Sequence, residues 1–139
     1  MAFEIVVQGT CMIATQTGIL DWQDCDYAFA RCDDMLAAHP GIDRLLLDLS
    51  GARLAMKPLE ARSLAKLARA AFSRPVKTAI VHPIDETGAA FLQSYVMALQ
   101  ENGARVALFR GIEPAQDFLR PRNGLANTGL LPTWLRKAM

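Results

Sequence analysis

The segment Asp43-Arg44-Leu45-Leu46-Leu47-Asp48-Leu49-Ser50-Gly51-Ala52 begins with charged residues, continues as an apolar run and ends in turn-forming residues. The consecutive leucines at residues 45–47 are typical of a strand that is buried on both faces, as in a parallel sheet. Residues 48–51 then favour a turn. A helix is predicted over residues 58–72, because it opens on a proline, which is favoured in the first turn. Open α/β sheets place their binding sites in such loops, at the carboxyl ends of buried strands.

Strands and helices alternate on both sides of this segment, which predicts an α/β fold. The predicted elements are strands over residues 3–8, 11–14, 44–49, 76–81 and 105–109, with helices that begin at Asp21, Pro58, Asp85 and Glu113. The order β-β-α-β-α-β-α-β-α indicates one domain over residues 1–119, with a mostly parallel sheet of about five strands and about four helices. Residues 120–139 are rich in glycine, proline and asparagine and are predicted to form a C-terminal tail, flexible or used in a contact.

The composition is that of an ordinary globular protein, with 52% apolar and 21% charged residues among 139. No apolar run approaches the ~18 residues of a membrane span, and the N-terminal residues lack the basic segment of a signal peptide. The three cysteines form no CxxC pair, which argues against a zinc site or a disulfide framework. We therefore expect a cytoplasmic protein with no transmembrane segment and no bound metal.

Charge is segregated along the chain, although the net charge is only +1. Residues 1–50 carry a net charge of −6, and residues 51–82 carry a net charge of +6. This pattern indicates a polar surface with two signs of charge, and it argues against a nucleic-acid partner.

Four segments carry a family resemblance: Gly18-Ile19-Leu20-Asp21, Leu45-Leu46-Leu47-Asp48-Leu49-Ser50-Gly51-Ala52, Lys77-Thr78-Ala79-Ile80-Val81 and Arg105-Val106-Ala107-Leu108-Phe109-Arg110. In this order and spacing they resemble STAS-like domains over residues 3–119, most closely the SpoIIAA-like group of small bacterial proteins. The resemblance implies an α/β regulatory module that binds a protein partner. For the SpoIIAA-like group it also implies the binding of a ligand or lipid.

The loop after the buried strand departs from the pattern of STAS anti-sigma-factor antagonists. There, as the resemblance implies, the loop reads Asp-Leu-Ser-Gly and then Asp-Ser-Ser-Gly at the helix start, and it carries a serine that is phosphorylated. This chain keeps Asp48-Leu49-Ser50-Gly51 but has Met56, Lys57 and Pro58 in the second half. Because lysine does not accept a phosphoryl group as serine does, the usual phosphoserine switch is predicted to be absent. The helix N-terminus remains suited to an anion.

Asp48, Ser50 and His82 are candidate contact residues, because they follow adjacent strands of the predicted sheet. Asp48 and Ser50 bind a ligand or partner in one interpretation, and in the other they only form a turn that caps the strand. His82 can meet them across the sheet edge, which would place a serine, a histidine and an aspartate together. No nucleophile elbow accompanies these residues, so we expect no enzyme activity and no cofactor.

Arg62, Lys66 and Arg69 form a basic edge of the predicted second helix. Arg53, Lys57 and Arg74 extend this edge. Such an edge is either an ordinary solvated helix face or a docking surface for an acidic partner or an anionic headgroup. The first predicted helix is acidic, so self-association through opposite charges is a further alternative.

The apolar side chains allow two interpretations, a closed core or a ligand cavity. Cys25 and Cys32 fall on the apolar stripe of the first helix and are predicted to be inert core residues. An apolar cavity beneath the second and third helices is the alternative to a closed core; its predicted lining is Leu54, Met56, Phe91, Tyr95 and Met97.

From these observations we expect a non-enzymatic, STAS-like regulatory or binding module. It would act through loop 48–58 and helix 58–72, and its partner would be a protein or a second copy of the chain. The alternative is a protein that binds a lipid or another small apolar molecule.

Overall fold

The computed structural model of the protein describes residues 2–83 and 85–121. Its strands are β1 (Ala2–Gln8), β2 (Cys11–Leu20), β3 (Arg44–Asp48), β4 (Ala52–Leu54), β5 (Lys77–Val81) and β6 (Val106–Phe109). Its α-helices are α1 (Trp22–Ala38), α2 (Ala61–Ala71), α3 (Glu86–Glu101) and α4 (Ile112–Leu119), and a 3₁₀ turn at Pro58–Glu60 precedes α2. The predicted α/β fold with a mostly parallel sheet is confirmed.

The sheet has the strand order β1-β2-β3-β5-β6. β1 and β2 are antiparallel, whereas β2–β3, β3–β5 and β5–β6 are parallel pairs. β1 is an edge strand, along which exposed and half-buried residues alternate. β3 therefore lies in the middle of the sheet, with its backbone hydrogen-bonded on both sides.

The short strand β4 lies in a segment that the sequence predicts as a loop. It pairs in parallel with the last residues of β2, so that Gly18 faces Ala52 and Leu20 faces Leu54. The sequence predicts that the second strand ends at residue 14, but β2 continues to Leu20, past the end of β3. The extension passes through Gly18, whose φ of +90° favours glycine. β4 forms because this extension leaves backbone groups that need partners.

Side chains at the helix starts fix where α1 and α3 begin. At α1 the backbone N–H of Asp24 donates to Asp21 Oδ1, and the N–H of Asp21 donates to Asp24 Oδ2, each at 2.9 Å. This reciprocal pair satisfies two backbone donors, as in a capping box. At α3, Asp85 accepts from the N–H of Gly88 at 2.9 Å. The predicted helix starts at Asp21 and Asp85 are therefore confirmed as capping positions.

Helices cover both faces of the sheet. On one face, α1, α2 and α3 pack against Leu49, Ile80 and Val106. On the other face, α4 packs on Leu46, Ala79 and Val81 through Ala115 and Leu119. The neighbouring residue Leu45 belongs to the cluster beneath α1, together with Met12 and Leu36. The run at residues 45–47 is apolar throughout because successive side chains point to opposite, equally covered faces.

Two further predictions concern the C-terminal tail and the absence of a transmembrane segment. The tail prediction falls almost wholly on residues 122–139, which lie outside the described part of the chain. Within residues 2–83 and 85–121, no helix is long and apolar enough to cross a membrane.

A pair of α3 variants tests the placement of this core. Leu92 is 3% exposed, whereas Met97 on the same helix is 53% exposed. Leu92→Ala leaves a cavity and is expected to lower the free energy of unfolding by about 2–5 kcal/mol. Met97→Ala is expected to change it by about 0.5 kcal/mol or less. Urea unfolding measures both values, and equal losses in the two variants would contradict this packing of α3.

Candidate functional site

The loop at the carboxyl end of β3 is held by the Asp48 carboxylate. Asp48 Oδ1 accepts from the backbone N–H of Ser50 at 3.0 Å and from the Ser50 hydroxyl at 2.7 Å. Two backbone hydrogen bonds also hold this loop. The Leu49 N–H donates to Val81 O, and the Ala52 N–H donates to Leu49 O. These contacts are those of an Asx turn, the structural alternative considered for the two residues.

His82 follows β5 at the same edge of the sheet but makes different contacts. Its backbone N–H donates to Phe109 O at 3.0 Å, and its Nδ1 lies 2.7 Å from Pro83 O. A carbonyl only accepts, so Nδ1 carries a proton here. Within residues 2–83 and 85–121, His82 forms no hydrogen bond with Asp48 or Ser50, so the three side chains do not form a connected set.

The second half of the loop leads into the 3₁₀ turn. Met56 is buried, and the backbone N–H of Lys57 donates to Glu60 Oε1 at 2.7 Å. The turn places Leu59 almost entirely in solvent, at 91% exposure, with the exposed Lys57 two residues earlier. The sequence does not indicate Leu59 as a candidate contact residue, because an apolar residue beside a predicted helix start is expected to pack inward.

The basic residues of α2 lie on its exposed side. Arg62 makes a two-pronged ion pair with Glu101 at the end of α3, at 3.1 and 3.3 Å. Both partners are more than half exposed, so water screens this pair and it contributes little to stability. Lys66 and Arg69 are also exposed. The seven candidate residues therefore fall into two groups, one near the ends of β3 and β5 and the other on α2 and, at Lys57, just before the 3₁₀ turn that precedes it.

The acidic face of α1 is tied to the segment between α2 and β5. Asp33 Oδ1 accepts from the backbone N–H and the hydroxyl of Ser73, both at 2.8 Å. These hydrogen bonds hold the pKa of Asp33 below its usual value. The Arg74 guanidinium donates to the carbonyls of Leu36, His39 and Ile42, which closes the C-terminal end of α1.

A cavity of about 680 Å³ lies between the sheet and the three helices α1, α2 and α3. Its inner lining includes Phe29, Cys32, Leu47, Ala68, Ile80 and Tyr95. Its exposed lining residues include Asp43, Ser73, Asn102 and Arg105, which adjoin the amino ends of β3, β5 and β6, so its mouth lies at that edge.

Of the five residues named as the alternative cavity lining, Tyr95 lines this cavity, whereas Leu54 is half-buried and packs against the core. Phe91 and Met56 are packed in the core, and Met97 lies on the surface. One feature of the sequence does indicate the cavity. Ala28 and Ala68, on facing helices, have small side chains and leave space that a leucine would fill.

Burial sets the chemistry of the ionisable groups around the cavity. It raises the pKa of Cys25 and of Cys32 to about 12, so both remain thiols at neutral pH, consistent with their predicted place in the core. Burial also raises the pKa of the Tyr95 phenol above its usual value. Within the described residues, no group of three or more His, Cys, Asp and Glu side chains is placed to hold a metal ion.

Comparisons with known proteins add a structural similarity only. No protein-family model and no curated protein matches the chain. The anti-sigma factor antagonist SpoIIAA in its unphosphorylated form is similar at 9% identity and a TM-score of 0.36, over 84% of this chain and 79% of that one.

Two crystal structures of Mglu are also similar, each at 16% identity. Their TM-scores are 0.35 and 0.32, and the matches cover 79% and 75% of this chain but only 19% and 22% of those chains. At TM-scores this low, neither these similarities nor that to SpoIIAA assigns the chain a family or a function.

Two alanines of α2 test whether the cavity is open space. Ala68 lines it, whereas Ala65, equally buried on the same helix, does not. Ala65→Leu overpacks the core and is expected to cost about 1–3 kcal/mol in the free energy of unfolding. Ala68→Leu is expected to cost less, because its side chain extends into the cavity. Thermal and urea unfolding compare the two, and equal destabilisation would contradict the cavity.

Proposed function

We propose that this protein is a non-enzymatic, STAS-like binding module that docks an acidic surface of a partner protein. The docking surface comprises loop 48–58, the 3₁₀ turn Pro58–Glu60 and the exposed residues Arg62 and Lys66 of α2. The STAS-like part of the proposal rests on the motif resemblance, and the location of the surface rests on the exposure and charge of the chain's own side chains.

The observation that carries this proposal is the exposure of Leu59. Leu59 is a large apolar side chain that is 91% exposed, and a partner that covered it would gain the stabilisation of its burial. Arg62 and Lys66 follow at spacings of three and four residues, so they lie on the same side of the helical segment as Leu59. Arg62 is exposed although it is paired with Glu101, whereas Lys57 and Lys66 take part in none of the ion pairs among the described residues. An apolar anchor beside these cations fits a partner with an apolar contact and acidic residues around it.

We further propose that docking does not depend on a phosphoserine. The Ser50 hydroxyl donates to the Asp48 carboxylate at 2.7 Å, and a phosphoryl group on that oxygen would bring two negative charges beside a third. The loop positions before α2 hold Met56, Lys57 and Pro58. Loop 48–58 therefore presents a positive charge beside Leu59 and a hydroxyl that is already engaged.

Site-specific photo-crosslinking tests the docking surface. With p-benzoylphenylalanine in place of Leu59, we expect capture of one partner in the native cells, and with the same replacement of Met97 we expect no capture of it. The double variant Arg62→Glu with Lys66→Glu should lower the yield by about tenfold, since it reverses two charges that orient the partner. Mass spectrometry identifies and quantifies the captured protein.

The matched control carries the same change in charge away from this surface, at Arg31→Glu with Arg120→Glu, and should keep the yield of the parent. Ser50→Ala should also keep it within about twofold, since that hydroxyl contributes only a local hydrogen bond. Equal loss in the control double variant would contradict the docking surface, and loss in Ser50→Ala would contradict its independence from phosphorylation.

The binding of a small apolar ligand is a second candidate function, favoured by one observation. The cavity of about 680 Å³ lies within the range of known ligand sites, about 300–1,000 Å³, and apolar side chains form most of its interior. Native mass spectrometry of the gently purified protein should show a retained small molecule that is absent from Ala68→Leu. Identical spectra for the two proteins would contradict this function.

A further inference from the structure

We propose that the cavity binds a single-chain amphiphile whose anionic head group lies at the mouth, between Arg69 and Arg105. This inference rests on the second candidate function above and deepens it by naming the chemical class of the ligand. The cavity is separate from the loop-and-α2 docking surface, because neither Leu59 nor Lys66 lines it.

The lining of the cavity carries an excess of positive charge. It contains four cationic residues, Arg69, Arg74, Lys77 and Arg105, and a single acidic residue, Asp43. The Asp43 carboxylate is already paired with Arg44 at 3.0 Å. The Asp33 carboxylate also reaches the mouth, where it accepts from the N–H and the hydroxyl of Ser73. Four cations against these two carboxylates leave the mouth positive, and it attracts an anion.

The four cations differ in whether their charge is already engaged. The Arg74 guanidinium is used by three backbone carbonyls, and the Lys77 ammonium lies 4.4 Å from the centre of the Phe118 ring. Arg69 and Arg105 are exposed and take part in none of the ion pairs formed within residues 2–83 and 85–121. These two guanidinium groups can therefore donate to the oxygens of a carboxylate or a phosphate.

The interior has a different character from the mouth. Phe29, Leu47 and Ile80 present apolar surface, which favours a hydrocarbon chain over a sugar or a nucleobase. An apolar interior beneath a cationic mouth matches a molecule with a hydrocarbon tail and an anionic head.

The buried hydroxyl of Tyr95 gives a second, independent reason to expect a bound molecule in the cavity. Its side chain lines the cavity at only 5% exposure, and its hydroxyl forms no hydrogen bond within the described residues. A buried hydroxyl without a partner costs free energy, so a polar atom from a ligand or a trapped water is expected to reach it. This feature distinguishes the cavity from a closed core, in which a phenylalanine would serve as well.

Three amphiphiles with the same tail test the inference: dodecanoate, dodecyl phosphate and dodecanol. Isothermal titration calorimetry at pH 8, below the micelle concentrations, measures each Kd. We expect both anions to bind at least fivefold more tightly than the alcohol, and the tighter anion identifies the head group. The double variant Arg69→Gln with Arg105→Gln should weaken binding of the anions by about five- to tenfold and leave binding of dodecanol unchanged.

Two control variants make the result specific. Arg53→Gln with Arg110→Gln removes the same charge away from the cavity and should leave every Kd unchanged, whereas Ala68→Leu should abolish the binding of all three molecules. Equal affinity for dodecanol and the anions, or no effect of the Arg69 and Arg105 changes, would overturn the head-group inference and leave the apolar-ligand function standing. Failure of all three molecules to bind would overturn both.

Discussion

The central position of β3 in the sheet is the constraint on which the rest of the structure depends. Its backbone is hydrogen-bonded to β2 on one side and to β5 on the other, both in parallel. Leu45 packs beneath α1 and Leu46 packs beneath α4, so both faces must be covered by helices. Parallel neighbours require long crossover connections, and in this chain those connections are helices. The site residues are carried by the loops at the two ends of these strands and by α2.

The two ends of the sheet offer different chemistry. Beyond the carboxyl end of β3, Asp48 and Ser50 satisfy each other, and the chain then exposes Leu59 beside cations. At the amino ends of the strands, a cavity opens under Arg105 with Tyr95 inside it. α2 connects these regions, since Arg62 and Lys66 belong to the docking surface and Arg69 to the mouth of the cavity. One basic helix therefore serves two proposed contacts.

The parts of this fold that depend on local patterns could be predicted from the sequence. The run at residues 45–47, the capping residue Asp21 and the apolar stripe of α1 each determine their structure through neighbours in the chain. β4 could not be predicted, because it depends on how far β2 extends past β3. The cavity depends on the angles at which the helices pack, and the exposure of Leu59 depends on the 3₁₀ turn before α2. The contacts of His82 depend on the adjacent Pro83 carbonyl. None of these features can be predicted from the spacing of residues in the sequence.

The central claim is that the chain has two separate binding regions, and backbone amide chemical shifts test it most directly. On titration with dodecanoate, ¹H–¹⁵N spectra of the full chain should change at residues 73–77 and 102–106, around the mouth of the cavity. The amides of residues 49–59 should remain where they were. Shifts confined to residues 49–59, or spread evenly over both regions, would contradict the account.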